Sequence, residues 1–210
     1  MARASLTKRR LLGLDRSGGP PPETRRAQPL HPWTIPNAIG FARIALIPVF
    51  LVVALSDDDG LSTSAFVLYA VVAWTDYLDG MAARVLGQYS RLGALLDPLT
   101  DRLLVLSGAV VAWHFELLPR WALAVLALRE AFMLVLTRLA FRRGLDLEIN
   151  MLGRWAVWPV MSALALALVW DSWVPEACLY VGLALTLGAT AEYVAAGRRA
   201  LRSESPSSSA

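Results

Sequence analysis

Four aspartates lie within two adjacent apolar segments, and this feature constrains the chain more than any other. They are Asp76, Asp79, Asp97 and Asp101. An acidic side chain at the centre of a membrane helix costs about 2.5–3.5 kcal/mol on insertion scales. Folding alone does not require so many buried acids, so a ligand that binds the carboxylates is expected to offset this cost. The sequence therefore predicts a functional site in these two segments.

The composition is that of a membrane protein. Of the 210 residues, 56% are hydrophobic and only 18% are charged. Six apolar stretches, each close to the roughly 20 residues that cross a bilayer, fall near 36–55, 63–83, 93–113, 119–141, 152–170 and 175–196. We expect an all-α polytopic membrane protein with six transmembrane helices.

The charges between the stretches predict the orientation. Arginines cluster at one set of joints and at both ends of the chain, namely Arg25, Arg26, Arg84, Arg91, Arg142, Arg143, Arg154, Arg198, Arg199 and Arg202. The opposite joints carry mainly acids, including Asp57–Asp59, Glu116, Asp171 and Glu176. By the positive-inside rule, both termini are cytoplasmic in a multi-pass protein of the plasma membrane. The net charge of +3 is read as this orientation signal, and no nucleic-acid partner is expected.

The chain divides into three parts by composition. Residues 1–33 form a basic cytoplasmic segment that we expect to be partly disordered, and residues 198–210 form a cytoplasmic tail. We expect residues 34–197 to form a six-helix membrane domain that carries the functional site. The single cysteine, Cys178, excludes an internal disulfide and is interpreted as a small buried side chain.

The spacing of the aspartates predicts one shared site. Asp76 and Asp79 lie on one face of the second helix, and Asp97 and Asp101 lie on one face of the third. The turn between them, 85–92, is short, so these helices should be antiparallel neighbours. At about 1.5 Å per residue, Asp76 and Asp101 are both about 12 Å from the turn, and the other two roughly 6–8 Å. The four carboxylates then face one another in two layers near the cytoplasmic mouth.

The residue types around the carboxylates indicate their ligand. Oxygen ligands without His or Cys favour hard cations, Mg²⁺ or Mn²⁺. Gly80 and Ala83 leave space on the same face, and Arg84 adds a permanent positive charge. Together these features predict a phosphate or pyrophosphate site. Taken singly, the small residues are also typical of close helix packing, and Arg84 of an interfacial marker.

These residues resemble the signature of the CDP-alcohol phosphatidyltransferases, Asp-x2-Asp-Gly-x2-Ala-Arg, a short gap, then Gly-x3-Asp-x3-Asp. Every fixed position is present, as Asp76, Asp79, Gly80, Ala83, Arg84, Gly93, Asp97 and Asp101. The resemblance implies a six-helix, usually homodimeric enzyme embedded in membrane lipids. Such enzymes transfer a phosphatidyl group from CDP-diacylglycerol to an alcohol and release CMP.

The resemblance also implies individual roles. Asp76, Asp79, Asp97 and Asp101 would hold divalent metal, and Asp101 would also be the general base that takes the acceptor's hydroxyl proton. The CDP-lipid would be bound by the remaining signature residues, Gly80, Ala83, Arg84 and Gly93.

Other segments bear on the acceptor. Thr34–Asn37 with Arg43, Arg129–Glu130, and Gly153–Arg154 are similar to segments of bacterial phosphatidylglycerophosphate and cardiolipin synthases, although Arg154 stands where those enzymes carry lysine. The first acceptor expected is glycerol 3-phosphate, the second is phosphatidylglycerol, and the third is inositol phosphate. Candidate acceptor-binding residues are Arg43, Arg129, Arg138 and Arg154. Arg138 is equally compatible with a snorkelling arginine at the membrane interface.

Two readings lie outside this class. A divalent-cation transporter would distribute acids over the whole membrane depth, whereas here the outer halves of the second and third stretches are apolar. A non-catalytic scaffold would tolerate replacement of all four aspartates by asparagine. His31 and His114 have no paired ligands in the sequence and are assigned no role.

Overall fold

The computed structural model describes residues 34–86, 91–142 and 151–203. These residues form six α-helices and contain no β-strand, as predicted. The helices are α1 Ile35–Leu55, α2 Thr63–Leu86, α3 Arg91–His114, α4 Arg120–Arg142, α5 Met151–Ala167 and α6 Trp173–Ser203. The predicted segment 1–33 lies outside the described residues.

Local sequence signals explain where several helices begin. Thr34 caps α1, because its hydroxyl oxygen accepts a hydrogen bond from the N–H of Asn37 at 3.3 Å. A proline in the first turn of α1 is favourable, since no N–H is needed there. The Ser62 hydroxyl accepts from the N–H of Ala65 at the start of α2. At α4, the Pro119 carbonyl accepts from the N–H groups of Ala122 and Leu123.

The described residues divide into two compact units, and the first comprises residues 34–56, 67–86 and 91–107. Within it, the buried rings of Phe50 in α1 and Tyr69 in α2 meet edge to face, with their centroids 5.3 Å apart. The side chain of Leu96 in α3 lies beside α1, where a methyl group added at Gly40 would be 3.8 Å from it. The first helix therefore packs against both helices that carry the aspartates.

The second unit comprises the described residues 57–66, 108–142 and 151–203, and in it α5 and α6 pack closely. A Cβ added at Gly182 in α6 would lie 2.8 Å from the backbone nitrogen of Val160 in α5. The buried faces consist mainly of small and branched residues, Ala156, Val160, Ala163 and Ala167 from α5 with Leu179, Leu183 and Thr186 from α6. The helix α6 also contacts α4.

The acidic turn before α2 is largely exposed. Asp58 and Asp59 are exposed, and the Asp59 carboxylate accepts a hydrogen bond from the N–H of Leu61 at 2.9 Å. Gly60 has a φ of 78°, which suits glycine, and a Cβ there would lie 2.5 Å from the Phe115 ring.

Large apolar side chains cover much of the outer surface. Val52, Trp74, Leu128, Val135 and Trp173 are each at least 66% exposed. Within the described residues, two helices are long and apolar enough to cross a membrane, at Asn37–Leu55 and Trp173–Gly197, and two shorter apolar stretches lie at Thr63–Thr75 and Trp155–Ala167. Exposed apolar side chains of this size suit a lipid environment.

Candidate active site

The aspartate motif occupies the end of α2 and the beginning of α3. The residues Asp76, Asp79, Gly80, Ala83 and Arg84 are helical in α2, and Gly93, Asp97 and Asp101 are helical in α3. This helical placement is as predicted. The side chains of Asp76, Asp79, Asp97, Ala83 and Arg84 lie outside the described part of the structure, whereas Asp101 is described in full.

Asp101 forms an ion pair with Arg43 of α1. A terminal nitrogen of the Arg43 guanidinium donates a hydrogen bond to the Asp101 Oδ1 at 3.1 Å. The arginine side chain is 1% exposed, whereas that of Asp101 is 35% exposed. The buried cation thus holds a carboxylate that a substrate or a cation can still reach.

Two buried aromatic residues of the first unit form part of the surroundings of this pair. Phe50 and Tyr69 are fully buried, and Tyr69 is close enough to Asp101 to be affected by its charge. The buried hydroxyl of Thr100 donates to the Leu96 carbonyl at 2.8 Å and is thereby satisfied within α3. Charges interact strongly in such surroundings, because water screens them little.

The donor set fits a hard divalent cation. Four aspartates on two consecutive helices would supply oxygen ligands, which Mg²⁺ and Mn²⁺ prefer. The exposed fraction of Asp101 leaves it accessible to such an ion. Among the side chains that the structure describes, no group of three or more His, Cys, Asp or Glu residues lies together, and three of the four aspartates are outside that set.

A second buried polar cluster lies in the second unit, between α4 and α6. The Nε of Arg129 donates to the Thr190 hydroxyl oxygen at 3.0 Å, and another guanidinium N–H donates to the Glu130 carboxylate. The Thr190 hydroxyl in turn donates to the Thr186 carbonyl at 2.8 Å. The Arg129 and Glu130 side chains are nearly buried. Two sides of the Arg129 guanidinium are therefore fixed by protein groups.

The sequence predicted Arg129 as a functional residue but did not predict its hydrogen-bond partners. Glu130 follows it in an otherwise apolar stretch, and a second charge at that position was the available signal. Thr190 gave no such signal, because threonine is common in apolar helices. Of the other candidate arginines, Arg138 lies exposed on α4, and Arg154 lies in α5 with its side chain outside the described residues.

The model of the CDP-alcohol phosphatidyltransferase family matches residues 33–188 of this chain. The chain belongs to that family. The match begins next to the cap of α1 and contains the whole aspartate motif, together with Arg43 and Arg129.

The similar proteins are named as one of two kinds of enzyme. The chain is 37% identical over 195 residues to a cardiolipin synthase (CMP-forming) of Streptomyces coelicolor, and the match covers 89% of this chain and 91% of that protein. It is 31% identical over 149 residues to a CDP-diacylglycerol–glycerol-3-phosphate 3-phosphatidyltransferase of Bacillus subtilis, covering 65% and 77%. A protein of the latter name from Shigella flexneri is 29% identical over 177 residues, covering 79% and 96%.

Proposed function

We propose that this protein transfers the phosphatidyl group of CDP-diacylglycerol to the hydroxyl of a glycerophosphate-type acceptor and releases CMP. The observation that carries the proposal concerns Asp101, which belongs to the aspartate motif. Its carboxylate is partly exposed and is held by the buried Arg43 of another helix. A carboxylate held in this way is suited to accept a proton from an incoming alcohol.

The proposed metal ligands are Asp76, Asp79, Asp97 and Asp101, with Mg²⁺ or Mn²⁺ as the ion. When bound, the ion neutralises the diphosphate and stabilises the charge on the departing CMP. Gly80, Ala83 and Gly93 leave room for the nucleotide, and Arg84 pairs with the diphosphate. The acyl chains remain in lipid, which suits a site on membrane helices.

Asp101 is the proposed general base. It accepts the proton of the acceptor hydroxyl as the acceptor oxygen forms a bond to the phosphorus of the phosphatidyl group. The bond between that phosphorus and the oxygen of CMP breaks, and its electron pair leaves with CMP. The hydroxyl proton passes to Asp101 and the leaving group is CMP, so the step needs no further reactant.

Phosphatidylglycerol is the acceptor that the comparisons favour, with cardiolipin as product. The relative matched over most of both chains is named a cardiolipin synthase. Glycerol 3-phosphate is the second candidate, supported by the names of the Bacillus and Shigella relatives. Both acceptors carry a phosphate near the reacting hydroxyl, and Arg129, Arg138 and Arg154 are proposed to bind it.

The proposed membrane arrangement is six spans with both termini in the cytoplasm, and a homodimer as in other members of the family. The exposed apolar side chains on every one of the six helices support it. The arginine-rich joints support the orientation.

The decisive experiment measures CMP release by purified protein in detergent or vesicles. CDP-diacylglycerol is supplied with phosphatidylglycerol, glycerol 3-phosphate or inositol phosphate in separate reactions, and the lipid product is identified by mass. We expect cardiolipin and CMP in equal amounts. Phosphatidylglycerophosphate as product would select the second candidate, and no CMP release with any acceptor would refute the proposed function.

A further inference from the structure

We propose that Arg43 is a positioning residue for Asp101, rather than a binder of the acceptor phosphate. This inference rests on the proposed function, because it gives Asp101 the role of base. The guanidinium bonds Oδ1 of the carboxylate at 3.1 Å from a different helix and so restricts the rotation of the Asp101 side chain. Arg43 thereby fixes the direction in which Asp101 meets the acceptor hydroxyl.

Burial separates the two possible roles of Arg43. Its side chain is 1% exposed, so an acceptor phosphate could reach the guanidinium only if helices moved apart. Asp101 is 35% exposed, so the accessible member of the pair is the carboxylate. Ile47 and Phe50, one and two turns later on the same face of α1, are also buried, so this side of the helix faces protein.

The orientation that Arg43 gives to the Asp101 carboxylate should affect the reaction rate. A misplacement of a reacting group by about 1 Å can lower a rate about 100-fold. Arginine is suited to this task, because its planar group directs several N–H donors in one plane, whereas lysine offers a point charge on a flexible stem.

The test is a double-mutant cycle with Arg43→Gln, Asp101→Asn and the double variant. CMP release is measured while CDP-diacylglycerol and the acceptor are varied in turn. We expect Arg43→Gln to lower kcat about 100-fold and to leave both KM values within roughly twofold. The double variant should lose no more activity than Asp101→Asn alone, because Arg43 acts through Asp101.

A second readout does not depend on turnover. Arg43→Gln removes the buried member of the pair and leaves the partly exposed Asp101 charge without its partner, so it should lower Tm measurably. Adding Asp101→Asn should recover part of that loss. Arg120→Gln is the matched control, since it breaks an exposed pair with Glu116, at 2.8 Å, and should leave kcat and Tm nearly unchanged.

If Arg43→Gln does not fold, Arg43→Lys keeps the charge and serves in its place, with an expected loss in kcat of about tenfold. A rise in acceptor KM at constant kcat would overturn the inference in favour of phosphate binding. Losses in kcat that multiply in the double variant would also overturn it. Failure of the proposed function is distinct, because the wild-type protein would then release no CMP.

Discussion

Asp101 combines accessibility with a fixed orientation, which are the two properties that a general base needs. Replacing it by asparagine keeps its size but removes the ability to accept a proton. We expect Asp101→Asn to fold and to bind CDP-diacylglycerol, and to lose CMP release by about 10²–10⁴-fold. Equilibrium binding of CDP-diacylglycerol and single-turnover CMP release check this. Near-normal release would rule out the assignment of Asp101 as base.

Thr190 gives a test of the acceptor role of Arg129. The substitution Thr190→Val removes the oxygen that accepts from Arg129 Nε. A buried donor without a partner costs about 1–3 kcal/mol, and the arginine is expected to turn from its bound position. The KM for the acceptor should rise about tenfold, and that for CDP-diacylglycerol should not change.

The matched control for this prediction is Thr186→Val, one turn away on α6. The Thr186 hydroxyl donates to the Leu183 carbonyl at 3.0 Å, so its replacement leaves the hydrogen bond between Arg129 and Thr190 in place. Acceptor KM should stay at the wild-type value in this variant. An equal rise in both variants would mean that the threonines act through the stability of α6.

The residues of the site were predictable from the sequence to different degrees. The aspartates are conspicuous in the sequence, because acids in apolar segments carry an energetic cost. The hydrogen-bond partners of the arginines could not be predicted in this way. Arg43 and Asp101 are 58 residues apart in the sequence, and Arg129 and Thr190 are 61 residues apart. Such pairings depend on how helices pack, which periodicity within one helix does not encode.

At the scale of helices, the contact between α5 and α6 depends on Gly182. A Cβ there would meet Val160 at 2.6 Å from its Cγ2 and 2.8 Å from its backbone nitrogen, and the backbone cannot move aside within a helix. We expect Gly182→Ala to destabilise the protein by about 1–3 kcal/mol, measured as a fall in Tm.

Gly40 supplies the control for this substitution. The nearest atom to a Cβ at Gly40 is the Leu96 Cδ1 at 3.8 Å, which is an ordinary contact distance. Gly40→Ala should therefore be neutral or should stabilise α1 by up to about 1 kcal/mol. A similar fall in Tm for both variants would contradict the steric explanation.

The helix boundaries followed from apolar runs to within two residues, apart from the ends of α2, α5 and α6. The apolar stretch predicted near 175–196 is part of a helix that continues to Ser203. The residues beyond 196 include Arg198, Ala200 and Leu201, which have high helix propensity. Hydropathy predicts where a segment leaves the membrane. The end of the helix depends instead on helix propensity and on capping residues.

At the scale of the whole molecule, activity should depend on divalent metal. Excess EDTA is expected to abolish CMP release, because the diphosphate and the carboxylates would then face each other without a cation between them. Mg²⁺ or Mn²⁺ added back should restore it, and Zn²⁺ or Ca²⁺ at equal concentration serves to compare ions. Full activity in EDTA would count against the proposed metal site.

The proposed topology is testable because the chain has one cysteine. Cys178→Ala gives a background without thiols, into which Asp58→Cys or Ser207→Cys is introduced. A membrane-impermeant maleimide should label position 58 in intact cells and position 207 only after permeabilisation. Labelling of both positions in intact cells would contradict six spans with cytoplasmic termini.

The ion pair between α1 and α3 also bears on biosynthesis. The helix that carries Arg43 leaves the ribosome well before Asp101 has been made, so an arginine arrives at the bilayer without its counter-ion, at a cost of about 2.5–3.5 kcal/mol for the bare charge. Stable integration of α1 is then expected to wait for α3. Nascent chains that stop short of residue 101 should leave α1 extractable by alkaline carbonate, whereas chains that extend past α3 should retain it.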